Sequence, residues 1–344
     1  MKRINKNLVR AVVMGIALAV PYGVQAADYN APILGSGDNF DAGIKTGVNN
    51  DYTYTFAEDS TLKLVDINSG VGLGITNNNK ADNSITIEPE HKLDISIEHN
   101  GNCNGIAITT SKAEGKIIKR NGEGNIDIKV KDANVRLACF ASGAKIEVGK
   151  NNKIELGDGN ITIDVNNIYG AMADGIRIGG DGYNAIQMGN GTIDIKACST
   201  AQSASNDDEF FVDAYGVYAY YENTAILGEV DVKAEAIGTE YVTTTLAQGL
   251  IAEEGAKVTA GRGDITAIAK NSGDGATFAN GIYSWDGSVT KGDGSISASA
   301  KGSGTLAARG VFLDGNGRAE LGVVDISAKT EGGNVEGDCF VDAI

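Results

Sequence analysis

The chain repeats itself. A five-residue alternating stretch recurs as LKLVD from Leu62, LDISI from Leu93, IDIKV from Ile126, ITIDV from Ile161 and IDIKA from Ile193. It continues as VDVKA from Val230, ITAIA from Ile265, ISASA from Ile296 and VDISA from Val324, with successive copies starting 28 to 37 residues apart. Each unit adds a glycine followed by a second apolar alternation: GIAI at Gly105, GIRI at Gly175, GVYA at Gly216, GLIA at Gly249, GIYS at Gly281 and GVFL at Gly310. A third short strand closes on glycine, as in AIQMG and SVTKG, and a G-x-G-x turn such as GDGN or GRGD opens the next unit. Three short strands per ~33 residues, with no helical periodicity between them, describe one coil of a parallel β-helix. A single coil cannot bury its apolar face, so coils must stack. About eight coils at the ~4.8 Å strand spacing predict a rod roughly 40 Å long. An antiparallel sandwich or barrel fits less well, because the strand spacing is uneven while the long period is steady. Composition agrees: 47 of 344 residues are glycine and three are proline, the balance expected for turns joining strands that need all their backbone donors. The fold class read from the repeat is all-β, a solenoid over residues 51–344 that stops inside an incomplete coil, GDCFVDAI, after an irregular capping segment at 27–50.

Alternation also assigns faces. In the first strand Ile126, Ile128 and Val130 point inward. The outward columns read Asp94, Asp127, Thr162, Asp194, Asp231, Thr266, Ser297, Asp325 and, beside them, Ser96, Lys129, Asp164, Lys196, Lys233. This mixture of charges suits a solvated face rather than a cation-binding ladder. The second strand differs: Ile106, Ile176, Val217, Leu250, Ile282 and Val311 point inward, and Ala107, Arg177, Tyr218, Ile251, Tyr283 and Phe312 form the outward column. Contiguous exposed apolar groups mark contact surfaces unless loops fold over them. Beside that column runs the longest excursion, CSTAQSASNDDEFFVDAY, where Phe210, Phe211, Tyr215, Tyr218, Tyr220 and Tyr221 place six rings within twelve residues. Rigid rings bury contact area at low entropic cost. A loop packing its rings on the solenoid is the bland account of the cluster, and a ligand-contact surface is the sharp one. Those six, with Tyr283 and Phe312, are the candidate contact residues.

Arg262-Gly263-Asp264 spells a tripeptide that serves elsewhere as a cell-attachment signal. Here Gly261 and Gly263 are the glycines of the inter-coil turn, and Asp264 takes the place of Asn125, Asn160, Thr192 and Ser295. Arg262 fills the variable slot held elsewhere by Glu123, Asp158, Asn190 and Asp293. The repeat accounts for most of the motif, which leaves it a weak candidate. GGDGYNAI, Gly179 to Ile186, approaches one calcium-binding nonapeptide with Asn184 where aspartate belongs; such sites work in stacks, and a lone copy reads as a turn.

Lys2, Arg3, Lys6 and Arg10 precede an apolar run from Ala11 to Val20, and Val24-Gln25-Ala26 supplies a cleavage site, so residues 1–26 read as a signal peptide. Those four are among 29 basic residues, so the exported chain would carry 25 against 45 acidic, a net −20. Such a chain repels nucleic acid and anionic membranes. Cys103, Cys139, Cys198 and Cys339 are too few and scattered for a disulfide framework or zinc site and read chiefly as buried free thiols, with a Cys103–Cys139 bridge the open alternative. The two histidines, His91 and His99, lie at opposite ends of one strand, and no serine, cysteine or carboxylate cluster stands in a recognisable catalytic setting; GSGDNFD, Gly35 to Asp41, has no protease pattern. No catalytic, cofactor or metal residue is assigned.

The signal peptide, the glycine- and asparagine-rich coils, the scarce cysteine and the missing catalytic machinery together resemble the passenger domain of a bacterial autotransporter, the type V secretion family. The resemblance covers roughly residues 50–344 and rests on architecture. It implies a right-handed parallel β-helix displayed on the outer membrane or released outside the cell, in the manner of a non-enzymatic adhesin whose partner is a host-cell protein or a glycan. The family's C-terminal linker helix and outer-membrane β-barrel have no counterpart before Ile344, so the sequence is expected to belong to a longer chain. A passive stalk and a β-helical polysaccharide-active enzyme are the alternative functions.

Overall fold

The computed structural model describes residues 52–54, 60–65, 70–75, 85–87 and 92–333, apart from 110–113, 116, 121, 134–137 and 202–209. The signal-peptide segment 1–26, the segment 27–50 with Gly35 to Asp41, His91, Cys339 and the closing stretch from residue 334 lie outside the described residues.

Each coil contributes one strand to each of three sheets, and every strand pairs in parallel with its counterpart one coil away. Among the described residues the first sheet holds nine strands, from Ser60–Val65 to Val324–Glu331; the second holds eight, from Gly70–Ile75 to Leu306–Asp314. The third holds nine short strands, from Tyr52–Tyr54 to Arg318–Leu321. This is the expected parallel β-solenoid. Like residues stack on like inside it. Ile95, Ile126, Ile161, Ile193, Val232, Ile265 and Ile296 form one buried column of the first sheet, in register from coil to coil. Their β-branched side chains suit the pleated surface and pack against the identical group above and below.

The face assignments hold, but one column does not run as expected. Ser96, not Asp94, is level with Asp127; Lys233, not Asp231, is level with Asp194; and Ser327, not Asp325, is level with Ser297. A slip of one residue would turn the strand over, whereas a slip of two keeps every side chain on its face, so alternation alone cannot tell the two registers apart. The true columns place opposite charges near one another: Lys233 lies 3.3 Å from Asp194, and Lys270 lies 2.6 Å from Glu235. Asp94, Asp231 and Asp325 stand instead at the start of their strands, next to the inter-coil turn, in the column that holds Asn125 and Asp264.

A glycine inside each second strand marks a corner where no side chain fits. A Cβ on Gly216 would lie 2.2 Å from Val232 Cγ1 and 2.5 Å from the Gly249 carbonyl oxygen. The equivalent position at Gly105, Gly143, Gly175, Gly249 and Gly281 meets an isoleucine Cγ2 at 2.3–2.4 Å and the next glycine's oxygen at 2.4–2.7 Å. The corner thus brings the second sheet hard against the first, and this contact gives rise to the G-[IVL] repeat. At the opposite corner, between second and third sheets, Asn152, Asn184 and Asn223 stack fully buried. The amide N–H of Asn152 donates to Asn184 Oδ1 (2.9 Å) and that of Asn184 to Asn223 Oδ1 (2.8 Å), while Asn184 Nδ2 donates to the Gly149 and Gly179 carbonyls at 2.9 Å. The nonapeptide-like segment is therefore a turn whose asparagine side chain faces the core.

Cys103, Cys139 and Cys198 are free thiols, the first two buried and Cys198 partly exposed. Cys103 is level with Ala141, two residues beyond Cys139. Strands ~4.8 Å apart and a two-residue offset of ~3.3 Å per residue put the two Cα atoms about 8 Å apart, beyond the reach of a disulfide. Burial raises both thiols, Cys139 to about 11, so neither acts as a nucleophile near neutral pH.

Candidate ligand-binding face

The corner glycines divide the outer face of the second sheet into two columns. The residue two places after each glycine gives Lys145, Arg177, Tyr218, Ile251, Tyr283 and Phe312, all in register. The residue immediately before each glycine gives Ser142, Asp174, Tyr215, Gln248, Asn280 and Arg309. The first column is the one expected from the sequence, with Lys145 added. The second went unread, although its signal is plain: every corner glycine in these coils follows a polar or tyrosine residue.

The rings support one another along and across the columns. Tyr283 and Phe312 lie 5.5 Å apart between ring centres, Tyr215 and Tyr218 5.5 Å, Tyr218 and Tyr220 5.4 Å, and Tyr220 and Tyr221 4.9 Å. A guanidinium caps each end of the aromatic run: Arg177 sits 5.0 Å over the Tyr218 ring and Arg309 4.2 Å over that of Phe312, within cation–π range. Tyr218 Oη donates to Glu253 Oε2 at 2.7 Å. Tyr215, Tyr218, Tyr220, Tyr283, Phe312 and Phe211 are all partly exposed, and Tyr221 is half-exposed at the following turn.

Three sequence expectations are corrected here. Phe210 is 1% exposed, packs 5.4 Å from Tyr169 inside the solenoid and is closed to a ligand. Ile251 and Ala107, on the outer face by register, are covered to 1% and 0% exposure; Ile251 lies between Tyr218 and Tyr283 on the adjoining strands. The aromatic cluster is not a protruding loop: Phe210–Tyr220 is a strand, with Phe210, Val212 and Ala214 inward. The corner at Gly216 shifts the alternation, so Val217 and Ala219 face inward after it, and the broken phase hides the strand from a period-two reading.

A polar cluster flanks the rings. Arg177 Nη1 lies 3.2 Å from Asp174 Oδ2, which also accepts from Ser142 Oγ at 3.3 Å. Asp174 is 3% exposed, and its other carboxylate oxygen is buried with no hydrogen-bond partner. Burial pushes the Asp174 carboxyl upward against the pull of Arg177 and Lys145, and it pushes Asp213 up to about 7. Glu253 is also raised by burial. Asp174 and Asp213 lie diagonally on adjacent strands, Asp213 level with Met172 and Asp174 with Tyr215, whereas Glu253 is level with Tyr220, well along the face from both. Nothing in the primary spacing announces the Asp174–Asp213 pair, because the two residues are 39 positions apart and meet only through the stacking of adjacent coils. Among the described residues no group of three His, Cys, Asp or Glu side chains is placed to hold a metal ion.

The Arg262-Gly263-Asp264 turn lies on a different side of the coil. Gly263 has φ +138°, and a Cβ there would come within 2.3 Å of the Val230 oxygen. The Asp264 amide N–H donates to Asp231 Oδ1 at 2.8 Å; Asp264 Oδ1 in turn accepts from the Ser295 amide at 2.9 Å and its hydroxyl at 2.8 Å. Those bonds, the Ser295 hydroxyl first, hold the Asp264 carboxyl below the usual range. Arg262 is 72% exposed and 3.8 Å from Asp293. Asp264 is a rung of an inter-coil ladder, as Asn125 and Asn160 are.

Comparison of the chain with protein-family models, with curated proteins and with solved structures returns no match.

Proposed function

We propose that this chain is an exported β-solenoid of the autotransporter-passenger type that acts as a non-enzymatic adhesin, binding a glycan on a host surface through the outer face of its second sheet. The observation that carries the reading is the partly exposed run Tyr218, Tyr283 and Phe312, capped at both ends by arginine. Rigid rings give a glycan flat apolar platforms, and the flanking amides and charged groups give its hydroxyls partners. Rungs recur about every 4.8 Å, close to the advance of one pyranose unit in an extended glycan. The acidic chain, −16 overall, argues against a polyanionic partner.

Printing the full chain on a glycan array, beside a Tyr283→Ser/Phe312→Ser variant, tests the reading. A stalk binds nothing on either sample; an adhesin binds a defined set that the double change weakens while circular dichroism stays the same. Export is tested by mass spectrometry of the secreted chain, whose N-terminus should be Ala27. A second reading, a polysaccharide-active enzyme, rests on Asp213, whose carboxyl burial pushes up to about 7, with Asp174, also raised by burial, on the adjacent strand, since a raised carboxyl can serve as general acid. New reducing ends released from a bound glycan by the wild type, and not by Asp213→Asn, would put the enzyme in place of the adhesin.

A further inference from the structure

A cavity of about 330 Å³ opens on the same face where the strands Cys103–Ile108, Ala138–Ile146 and Gly170–Ile178 run side by side. It is at the small end of the range for ligand sites. We propose that this cavity binds a single neutral sugar residue, held by Asp174, Arg177 and Asn104 and flanked by the rings of Phe140 and Tyr220. The proposal deepens the glycan-binding reading and rests on it.

Four features of the cavity fit a sugar. Its walls are aromatic on two sides: Phe140 is 40% exposed, and Tyr220 is partly exposed at the end of its strand. Its charges are matched, with Arg177 3.2 Å from Asp174 and Lys145 3.3 Å from Glu147. A cavity whose two cations are already paired offers little to a carboxylated or phosphorylated sugar. It does offer donors and acceptors side by side, which is what a hydroxyl, itself both donor and acceptor, requires. Finally, Asp174 is 3% exposed, yet one of its carboxylate oxygens has no partner. A buried carboxylate oxygen left unpaired is costly, and aspartate χ2 is broad and roughly two-fold, so a modest rotation turns that oxygen toward a ligand hydroxyl. Asn104 completes the polar rim beside it.

The test titrates methyl glycosides of neutral hexoses, of a uronic acid and of a sialic acid, and calcium chloride alone, into the full chain by calorimetry. The variants are Asp174→Asn, Asn104→Ala, Phe140→Ser and Tyr283→Ser/Phe312→Ser. The last two alter exposed or partly exposed side chains, and Asn104→Ala keeps a binding test available should Asp174→Asn unfold. The expected result is binding of a neutral hexoside, weakened about tenfold by Asp174→Asn and by Asn104→Ala, on the scale of one lost hydrogen bond to a charged or buried partner. Preference for the acidic glycosides, or binding of calcium alone that Asp174→Asn abolishes, overturns the proposal. Glycan binding sensitive to Tyr283→Ser/Phe312→Ser but unmoved by the three cavity variants overturns it while leaving the adhesin reading standing. No glycan binding in any sample overturns both.

Discussion

Replacing Gly216 by alanine adds one methyl group to the tightest place in the coil. The new Cβ would lie 2.2 Å from Val232 Cγ1 and 2.5 Å from the Gly249 oxygen, against an ordinary contact of about 3.5–4.0 Å. The side-chain clash can be eased by turning Val232. The backbone clash cannot, because the neighbouring strands are locked in register on both sides, Val217 with Ile176 and with Leu250. Inserting a methylene into a packed core costs about 1–3 kcal/mol, occasionally more, and two simultaneous clashes place this change near the upper end, about 3 kcal/mol. The control is Gly115→Ala, where φ is +65° and no atom lies within 4 Å of the added Cβ; backbone strain alone should cost ~1 kcal/mol there. Guanidinium unfolding followed by circular dichroism gives the overall difference. Solenoids unfold by coils, so native-state hydrogen exchange is needed to show the loss centred on the strands Phe210–Tyr220 and Val242–Glu253. Combining Gly216→Ala with Val232→Ala should be less than additive, since the second change removes one of the two clashes. If Gly216→Ala were no worse than Gly115→Ala, the steric account of the repeat would be wrong.

The other expectations concern charge. Burial holds the Asp213 carboxyl up to about 7, whereas the unfolded chain loses that proton near ~3.9. The folded state therefore binds the extra proton between these values, so this group's contribution is full below about pH 4 and is lost as pH rises toward 7. Asp213→Asn should leave stability nearly unchanged at pH 4 and raise it at pH 8 by up to about 4 kcal/mol; a difference that does not vary with pH, in paired denaturation curves, would contradict this. Lys291 is 1% exposed and its ammonium donates to the Gly261, Gly292 and Asp293 carbonyls at 2.9, 3.0 and 2.9 Å. Lys291→Met should cost about 1–3 kcal/mol by stranding those acceptors, read as a lower unfolding midpoint. Arg262→Ala should leave glycan binding and stability unchanged, because its 72%-exposed side chain makes only a loose ion pair; loss of adhesion would move the site to the turn.

How much of this was legible follows from what each signal measures. The ~33-residue period and the glycine spacing come from steric demands repeated in every coil, so Gly105, Gly175 and Gly216 announce the solenoid without help from the structure. Period-two alternation reports a face, which is why Ile126 and Tyr218 were placed correctly. It does not report register, which is why Asp94, Asp231 and Asp325 were assigned to the wrong column. Phe210 belongs by residue type to the aromatic cluster, yet the alternation of its strand turns it to the core, and the corner at Gly216 then resets the phase within that same strand. The candidate site was half legible. Its rings stand out by type, but Asp174 and Asp213 come together only through stacking, and burial that no local sequence pattern encodes pushes both carboxyls upward.

The central claim is that the aromatic column of the second sheet is a glycan-binding surface. Calorimetric titration of an array-selected glycan into the full chain and into Tyr283→Ser/Phe312→Ser tests it most directly. A ring buried against the apolar face of a sugar contributes about 25 cal/mol per Å² removed from water, so losing two rings should weaken binding roughly tenfold or more with unfolding midpoints unchanged. Equal affinity in the two proteins would place the binding surface elsewhere or leave the solenoid a stalk.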